Sequence, residues 1–263
     1  MNRFILKLTL ILYKKKIMEF LKSNFKSLII TLAVVITGYI LGHSYLSKGK
    51  ADPTISVTGL GETSFDSDLI VWRADFSRKN MSLKEAYNEL NKDLKLVKEY
   101  LSKKGIEATD IVIEAASIQK DYINEYDENG NIRSSSFSGY NLTQNMIIQS
   151  ENVNLVEKTS REVSELIDAG IELNSNAPQY YYTKLAALKL SMIEQATKDA
   201  YNRAMKIAES GGGSLGNMKS ADMGVFQITG ENSSEDFEWG GSFNTSSKRK
   251  TANITMRLKY EID

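Results

Sequence analysis

Ser27 to Ser47 is a run of 21 residues without a charge, closed by Lys26 before it and Lys48 after it. As a helix rising about 1.5 Å per residue it is about 31 Å long, the thickness of a bilayer's hydrocarbon layer. Arg3, Lys7, Lys14, Lys15, Lys16, Lys22 and Lys26 crowd the side before the run, with Glu19 the one acid, whereas only Lys48 and Lys50 follow closely. The positive-inside bias therefore predicts a basic cytoplasmic N-terminus (1–26), a single-pass anchor in the cytoplasmic (inner) membrane (27–47), and an extracytoplasmic or periplasmic remainder. A cleavable leader shares the charged start. However, the run exceeds the usual apolar core of roughly 7–15 residues, and no clear Ala-x-Ala site follows it, so a retained anchor is expected. Met18 opens a tidier version of the same signal, which leaves Met1 and Met18 as alternative starts.

Composition narrows what the exported part does. Beyond residue 50 it holds 24 basic and 32 acidic residues, a net charge of about −8, so no nucleic-acid partner is expected. Cysteine is absent, which removes disulfides, thiolate metal sites and cysteine nucleophiles. The single histidine, His43, lies inside the proposed anchor, so Ser-His-Asp catalysis and multi-histidine metal sites are excluded from the exported domain.

Hydrophobic periodicity orders the rest. Thr54–Phe65 and Leu69–Lys79 alternate as strands. Ser82-Leu-Lys-Glu85 opens a helix that carries Leu83, Ala86, Leu90, Leu94, Val97 and Leu101 to Gly105. Ile106–Ile123 reads as extended, Glu128-Asn-Gly-Asn131 as a hairpin turn, and Gly139–Ser150 as a strand. A second helix is predicted over 152–169 with Gly170 as its stop, then short strand pieces at 171–173 and 179–183. The longest helix spans about 184–210 with an alanine-rich side, and Gly211-Gly-Gly213 ends it as a C-cap. Strands 214–229 and 251–262 close the chain around a Gly-, Ser- and Asn-rich loop at 230–250, read as mobile. The expected fold is α+β: two antiparallel-sheet and helix sandwich units after one transmembrane helix. The middle unit (69–183) is ferredoxin-like in its β-α-β-β-α-β order and inserted in an outer unit of 54–65 plus 184–262.

Several stretches together resemble the SIMPL domain family of bacterial envelope proteins. These are Ile55-Ser-Val-Thr-Gly-Leu-Gly-Glu-Thr63, Asp68-Leu-Ile-Val71, Lys104-Gly-Ile-Glu-Ala-Thr-Asp-Ile111, Gly139-Tyr140 and the helix Ala196-Thr-Lys-Asp-Ala-Tyr-Asn-Arg-Ala-Met-Lys-Ile-Ala208. The resemblance covers about residues 54–262 in family order. Ser67 stands where the family often has proline, and Gly211–Gly213 is richer in glycine than usual. The resemblance implies an exported or tethered protein without catalytic residues, associated with stress tolerance or immunogenicity, with ring- or channel-like homo-oligomers in the family.

No catalytic, cofactor or metal residue is expected. Asp121, Glu125, Asp127, Asn129 and Asn131 gather oxygen ligands, but Ile132 replaces the glycine that a calcium loop requires, so a solvated hairpin tip is the reading. Glu62, Asp66 and Asp68 fit a turn, and Asp199 with Arg203 fits an i,i+4 surface pair. Candidate interaction residues are Tyr180, Tyr182, Phe237 and Trp239, the last two in an acidic loop that either exposes its aromatics or folds them back. The expected function is a non-enzymatic, membrane-anchored envelope module that self-associates as a scaffold or binds an unknown envelope protein. The alternatives are a carboxylate-dependent cell-wall glycan hydrolase and a small-ligand carrier.

Overall fold

A computed structural model describes residues 13–20, 22–48, 53–235 and 238–263. The chain divides into two compact units, residues 1–54 with 261–263, and residues 55–260. The first holds helix α1 (Phe25–Lys48). Within it Phe25–Leu46 is, among the described residues, the one helix long and apolar enough to cross a membrane, and it is not buried in the protein. An anchor and a leader share that property. The polar Thr31 is satisfied inside the helix, its Oγ1 donating to the Ser27 carbonyl at 2.9 Å.

Residues 55–260 form an α+β unit with two antiparallel sheets. In chain order its elements are β1 (Thr54–Asp66), β2 (Leu69–Asn80), α2 (Leu83–Lys103), β3 (Ile111–Ile113), β4 (Ser117–Tyr126), β5 (Ile132–Ser150), α3 (Val153–Glu162), β6 (Leu173–Ser175), β7 (Gln179–Tyr181), α4 (Leu185–Ser210), β8 (Leu215–Met223), β9 (Gln227–Gly230) and β10 (Arg249–Ile262). The expectation of an α+β fold with two antiparallel sheets and one apolar N-terminal helix holds.

The first sheet is built on β5. One side of β5 pairs with β2, from Ile70↔Ser150 to Asn80↔Tyr140. Its other side pairs with β3 at Ile111↔Ile148 and then with β4 from Ser117↔Thr143 to Tyr126↔Ile132, so β3 and β4 are two pieces of one edge. β6 and β7 line the far side of β2. Helix α2 buries Ala86, Leu90, Val97 and Leu101, spaced by one or two helical turns, against Trp72, Phe76, Leu142, Met146 and Ile148. Trp72 Nε1 donates to Ser175 Oγ at 3.0 Å, and that hydroxyl donates to the Ser160 carbonyl at 3.0 Å, so the large indole is buried without an orphaned donor. Ser82 Oγ caps α2 by accepting the Glu85 amide. The reciprocal half of the box comes from Asn80, whose Oδ1 accepts the Ser82 amide at 3.0 Å.

Around this sheet the helix after β5 and the start of β5 differ from expectation. The helix over 152–169 is α3 followed by a tighter 3-10 helix at Val163–Ala169. The hydroxyls of Ser160 and Ser164 donate to carbonyls three residues back, a spacing that suits the tighter turn. The strand expected from Gly139 starts seven residues earlier, at Ile132, because the Asn129-Gly130 turn pairs the polar stretch 132–138 with β4.

The second sheet has the order β1-β10-β8, with β9 also on β10, and α4 covers it. Ala196, Ala200 and Ala204 on α4 are fully buried, facing Val57, Ile254, Met256 and Leu258. The contact is backbone on backbone. A Cβ at Gly59 would lie 2.1 Å from the Ala196 carbonyl oxygen, and one at Gly61 would lie 2.4 Å from that of Met192. The same helix covers the free edge of β1: Asp199 Oδ2 accepts the Leu60 amide at 2.9 Å and Gln195 Oε1 accepts the Glu62 amide at 3.1 Å. α4 stops at Gly212 with φ +82°, and the Gly213 amide returns to the Ala208 carbonyl at 3.0 Å. The expected strand 214–229 is two strands, β8 and β9, broken where Gly224 comes so close to Thr255 that a Cβ would meet its hydroxyl at 2.2 Å.

Candidate functional site

Strand alternation on the second sheet turns Gly59 and Gly61 toward α4 and Leu60 and Glu62 outward. On β10 it buries Ile254 and leaves Asn253 and Thr255 on the outer face. These outward residues, with Val225, Glu238 and Trp239, line a groove of about 580 Å³. Trp239 is fully exposed.

The loop bearing Trp239 carries a set of internal hydrogen bonds on both sides of that residue. Lys250 on β10 is 1% exposed, and its ammonium donates to the carbonyls of Asn244 (2.7 Å) and Ser247. Asn244 Nδ2 donates to the Glu235 carboxylate, which also accepts the Gly230 amide at 3.0 Å. Gln227 Nε2 donates to the Glu238 carbonyl at 2.7 Å while its Oε1 accepts the Ser242 amide. Burial pulls the Lys250 ammonium down to about 8, and the Gly230 amide together with Asn244 holds the Glu235 carboxyl below its usual range. These contacts explain why a Gly- and Ser-rich stretch stays folded: its polar groups are used internally.

A second surface lies on the first sheet. Beyond the Asn80↔Tyr140 pair β2 ends, and β4 with residues 132–138 of β5 continues as a two-stranded ribbon. Ile118, where β2 still runs beside β5, and Tyr122 and Tyr126 on the ribbon share one face of β4, each more than half exposed. Tyr122 meets Phe137 edge-on at 5.8 Å between ring centroids, and Phe137 meets Tyr140 at 5.1 Å. At the base of the ribbon Leu83, Tyr87, Ile118 and Leu142 line a groove of about 420 Å³.

Tyr180 is 8% exposed inside the first core, and its burial raises its hydroxyl pKa. That burial removes it from the exposed aromatics. Tyr182 is half-buried against Phe65, with ring centroids 4.6 Å apart. Phe237 lies outside the described residues. The oxygen-rich hairpin turn serves itself, because Asp127 Oδ1 accepts the amides of Asn129 and Asn131, both at 2.9 Å. Among the described residues no group of three or more His, Cys, Asp or Glu is placed to hold a metal ion. Asp68 does more than close a turn: its carboxylate accepts the amide (2.7 Å) and hydroxyl (2.8 Å) of Thr183 beyond β7. Asp199 pairs with Arg203 Nε at 2.9 Å as expected, and the Leu60 amide, more than Arg203, lowers its carboxyl pKa.

The model of one protein family, SIMPL, described as a protein of unknown function (DUF541), matches residues 55–257. The chain belongs to the SIMPL family. No curated protein matches it. The SIMPL match runs from β1 into β10 and so takes in both sheets, the Trp239 groove and the ribbon. Sequence reasoning missed the ribbon's apolar face in this SIMPL domain. Its mark was there in the fourfold spacing of Ile118, Tyr122 and Tyr126, which on a strand puts all three on one side.

Proposed function

We propose that this SIMPL protein is a non-enzymatic module of the cell envelope, retained by α1 in the cytoplasmic membrane with residues 55–260 outside, that works by holding copies of itself or another envelope protein. The exposed apolar face of the β4–β5 ribbon carries the reading, since soluble surfaces rarely display such a patch without a use for it. In this reading residues 69–183 act as a ferredoxin-like unit inserted in the outer one. The strand order β3/β4, β5, β2, β6/β7 with α2 and α3 between supports that. The test is the native mass of the full-length protein in mild detergent, beside recovery of partners from envelope extracts. A discrete multimer or a stoichiometric partner is expected. A monomer that recovers nothing overturns the proposal.

One observation favours a second reading. Glu62 and Glu238 line the same groove as the exposed Trp239, an arrangement in which an aromatic face and carboxylates meet a glycan strand. Incubation with cell-wall glycan decides it. Release of shorter products by the wild type and not by Glu62→Gln would establish a hydrolase, and no release by either would eliminate it.

A further inference from the structure

We propose that β4 is a self-pairing edge: β4 of one copy adds antiparallel to β4 of a second copy about a two-fold axis at Tyr122. The proposal rests on the self-association reading above and names its interface. β4 pairs with β5 on one side only, and its outer side has no strand neighbour among the described residues. From Tyr122 to the turn the ribbon is two-stranded, a structure that is marginal in water without a further strand or a covering element. Two other edges, those of β1 and β7, are covered. Asp199 and Gln195 occupy the amides of β1, and the Tyr180 amide of β7 donates to the Thr245 carbonyl at 2.8 Å. Among the described residues β4 receives no such cover.

The side chains of β4 select a second copy as the occupant. An antiparallel pair related by a two-fold axis normal to the sheet brings each side chain beside one of the same face, so the axis must lie midway between the strands, level with one residue and its copy. With the axis at Tyr122, Ile118 faces Tyr126, Lys120 faces Asn124, Gln119 faces Glu125 and Asp121 faces Ile123. On one face rows of Ile118 with Tyr126 and of Tyr122 with its copy alternate with rows of Lys120 and Asn124, and no like charges stand directly opposite. One step back puts Asp121 against Asp121, and one step on puts it against Glu125, pairings that like-charge repulsion disfavours. The aromatic ribbon is poorly suited to an anionic lipid surface, because Asp121, Glu125, Asp127 and Glu128 outnumber Lys120 and Arg133 around its end.

The absence of cysteine makes the test clean. Directly opposed residues in an antiparallel pair lie about 4.5–5.5 Å apart between Cα atoms, within the span of a disulfide. Full-length Tyr122→Cys in mild detergent is therefore expected to cross-link to a dimer on gentle oxidation. Ile118→Cys mixed with Tyr126→Cys is expected to give the mixed dimer. Ile118→Cys alone stays unlinked, since its two copies are about 27 Å apart in this register. A native multimer in which Tyr122→Cys fails to link overturns the β4 interface and leaves self-association standing. A native monomer removes both. A Tyr122→Cys thiol that links to a different envelope protein and never to itself replaces the second copy with a hetero partner.

Discussion

Gly59→Ala puts a methyl carbon 2.1 Å from the Ala196 carbonyl oxygen and 2.4 Å from the Ala200 nitrogen, atoms of a helix backbone that cannot rotate away. Ordinary contact begins near 3.4 Å, so α4 must retreat by about 1.3 Å along a face where Met192, Ala196, Ala200 and Ala204 are fully buried. Overpacking of this kind costs about 1–3 kcal/mol. The retreat also stretches the Leu60 amide to Asp199 and Glu62 amide to Gln195 bonds, which contribute about 1 kcal/mol each at this exposed edge. Against that, alanine restricts the unfolded chain and returns about 0.4–1 kcal/mol. The net loss is about 3 kcal/mol, a fall in thermal midpoint of roughly 6–12 °C for a domain of this size. Circular dichroism of the full chain in mild detergent measures it. Gly130→Ala is the control, with the same chemistry at φ +81° in open space, where the cost is about 1 kcal/mol. If Gly59→Ala melts no lower than Gly130→Ala, the helix does not lie on β1 as described.

Two further outcomes follow from buried charge. Arg78 holds Asp93 through Nε and through Nη2 at 3.1 Å, and also reaches the Gly170 carbonyl at 2.7 Å, while the Asp93 side chain is only 9% exposed. Arg78→Ala strands that carboxylate and is expected to cost about 2–4 kcal/mol in denaturant unfolding, discounted for the partly exposed guanidinium; a loss under about 1 kcal/mol would contradict it. For Lys250, burial lowers the folded pKa to about 8 from 10.5, so between those values the unfolded chain binds the proton more readily. Stability from this site therefore rises with pH across that window, by at most about 1.4 kcal/mol per pH unit. Lys250→Met lacks the titrating amine, so the wild-type unfolding midpoint is expected to gain on the variant's as pH rises from 8 to 10. A constant difference between the two would refute the assignment.

Much of this architecture is legible in the chain because its periods are local. The uncharged run 27–47, the capping serine at 82 and the alanine side of the long helix each declare their element without reference to anything distant. What could not be read depends on partners far away in sequence. Asp199 looks like half of a helical surface pair, and only the placement of β1, 139 residues earlier, makes it an acceptor for the Leu60 amide. The loop at 230–250 has the composition of a mobile segment, yet a single buried lysine on the following strand organises its carbonyls. Tyr180 reads as a surface aromatic because three tyrosines in a row carry no period, and pairing with Ile70 on β2 decides which one goes inside. The ribbon is the reverse case, since its pattern was plain and its missing neighbour was not.

The two glycines of β1 also act as a vernier. Strand positions two apart are spaced by about 6.7 Å, whereas helix positions four apart are spaced by about 6.0 Å. Gly59 meets the Ala196 carbonyl and Gly61 the Met192 carbonyl, one graduation of each scale. The scales slip by about 0.7 Å per step, so main-chain contact can persist for two marks and no further. Val57, one mark back, already carries a side chain. The helix can therefore sit at one axial setting on the strand, and sliding it by a turn would bring Val57 or Thr63 onto a mark that only glycine fits.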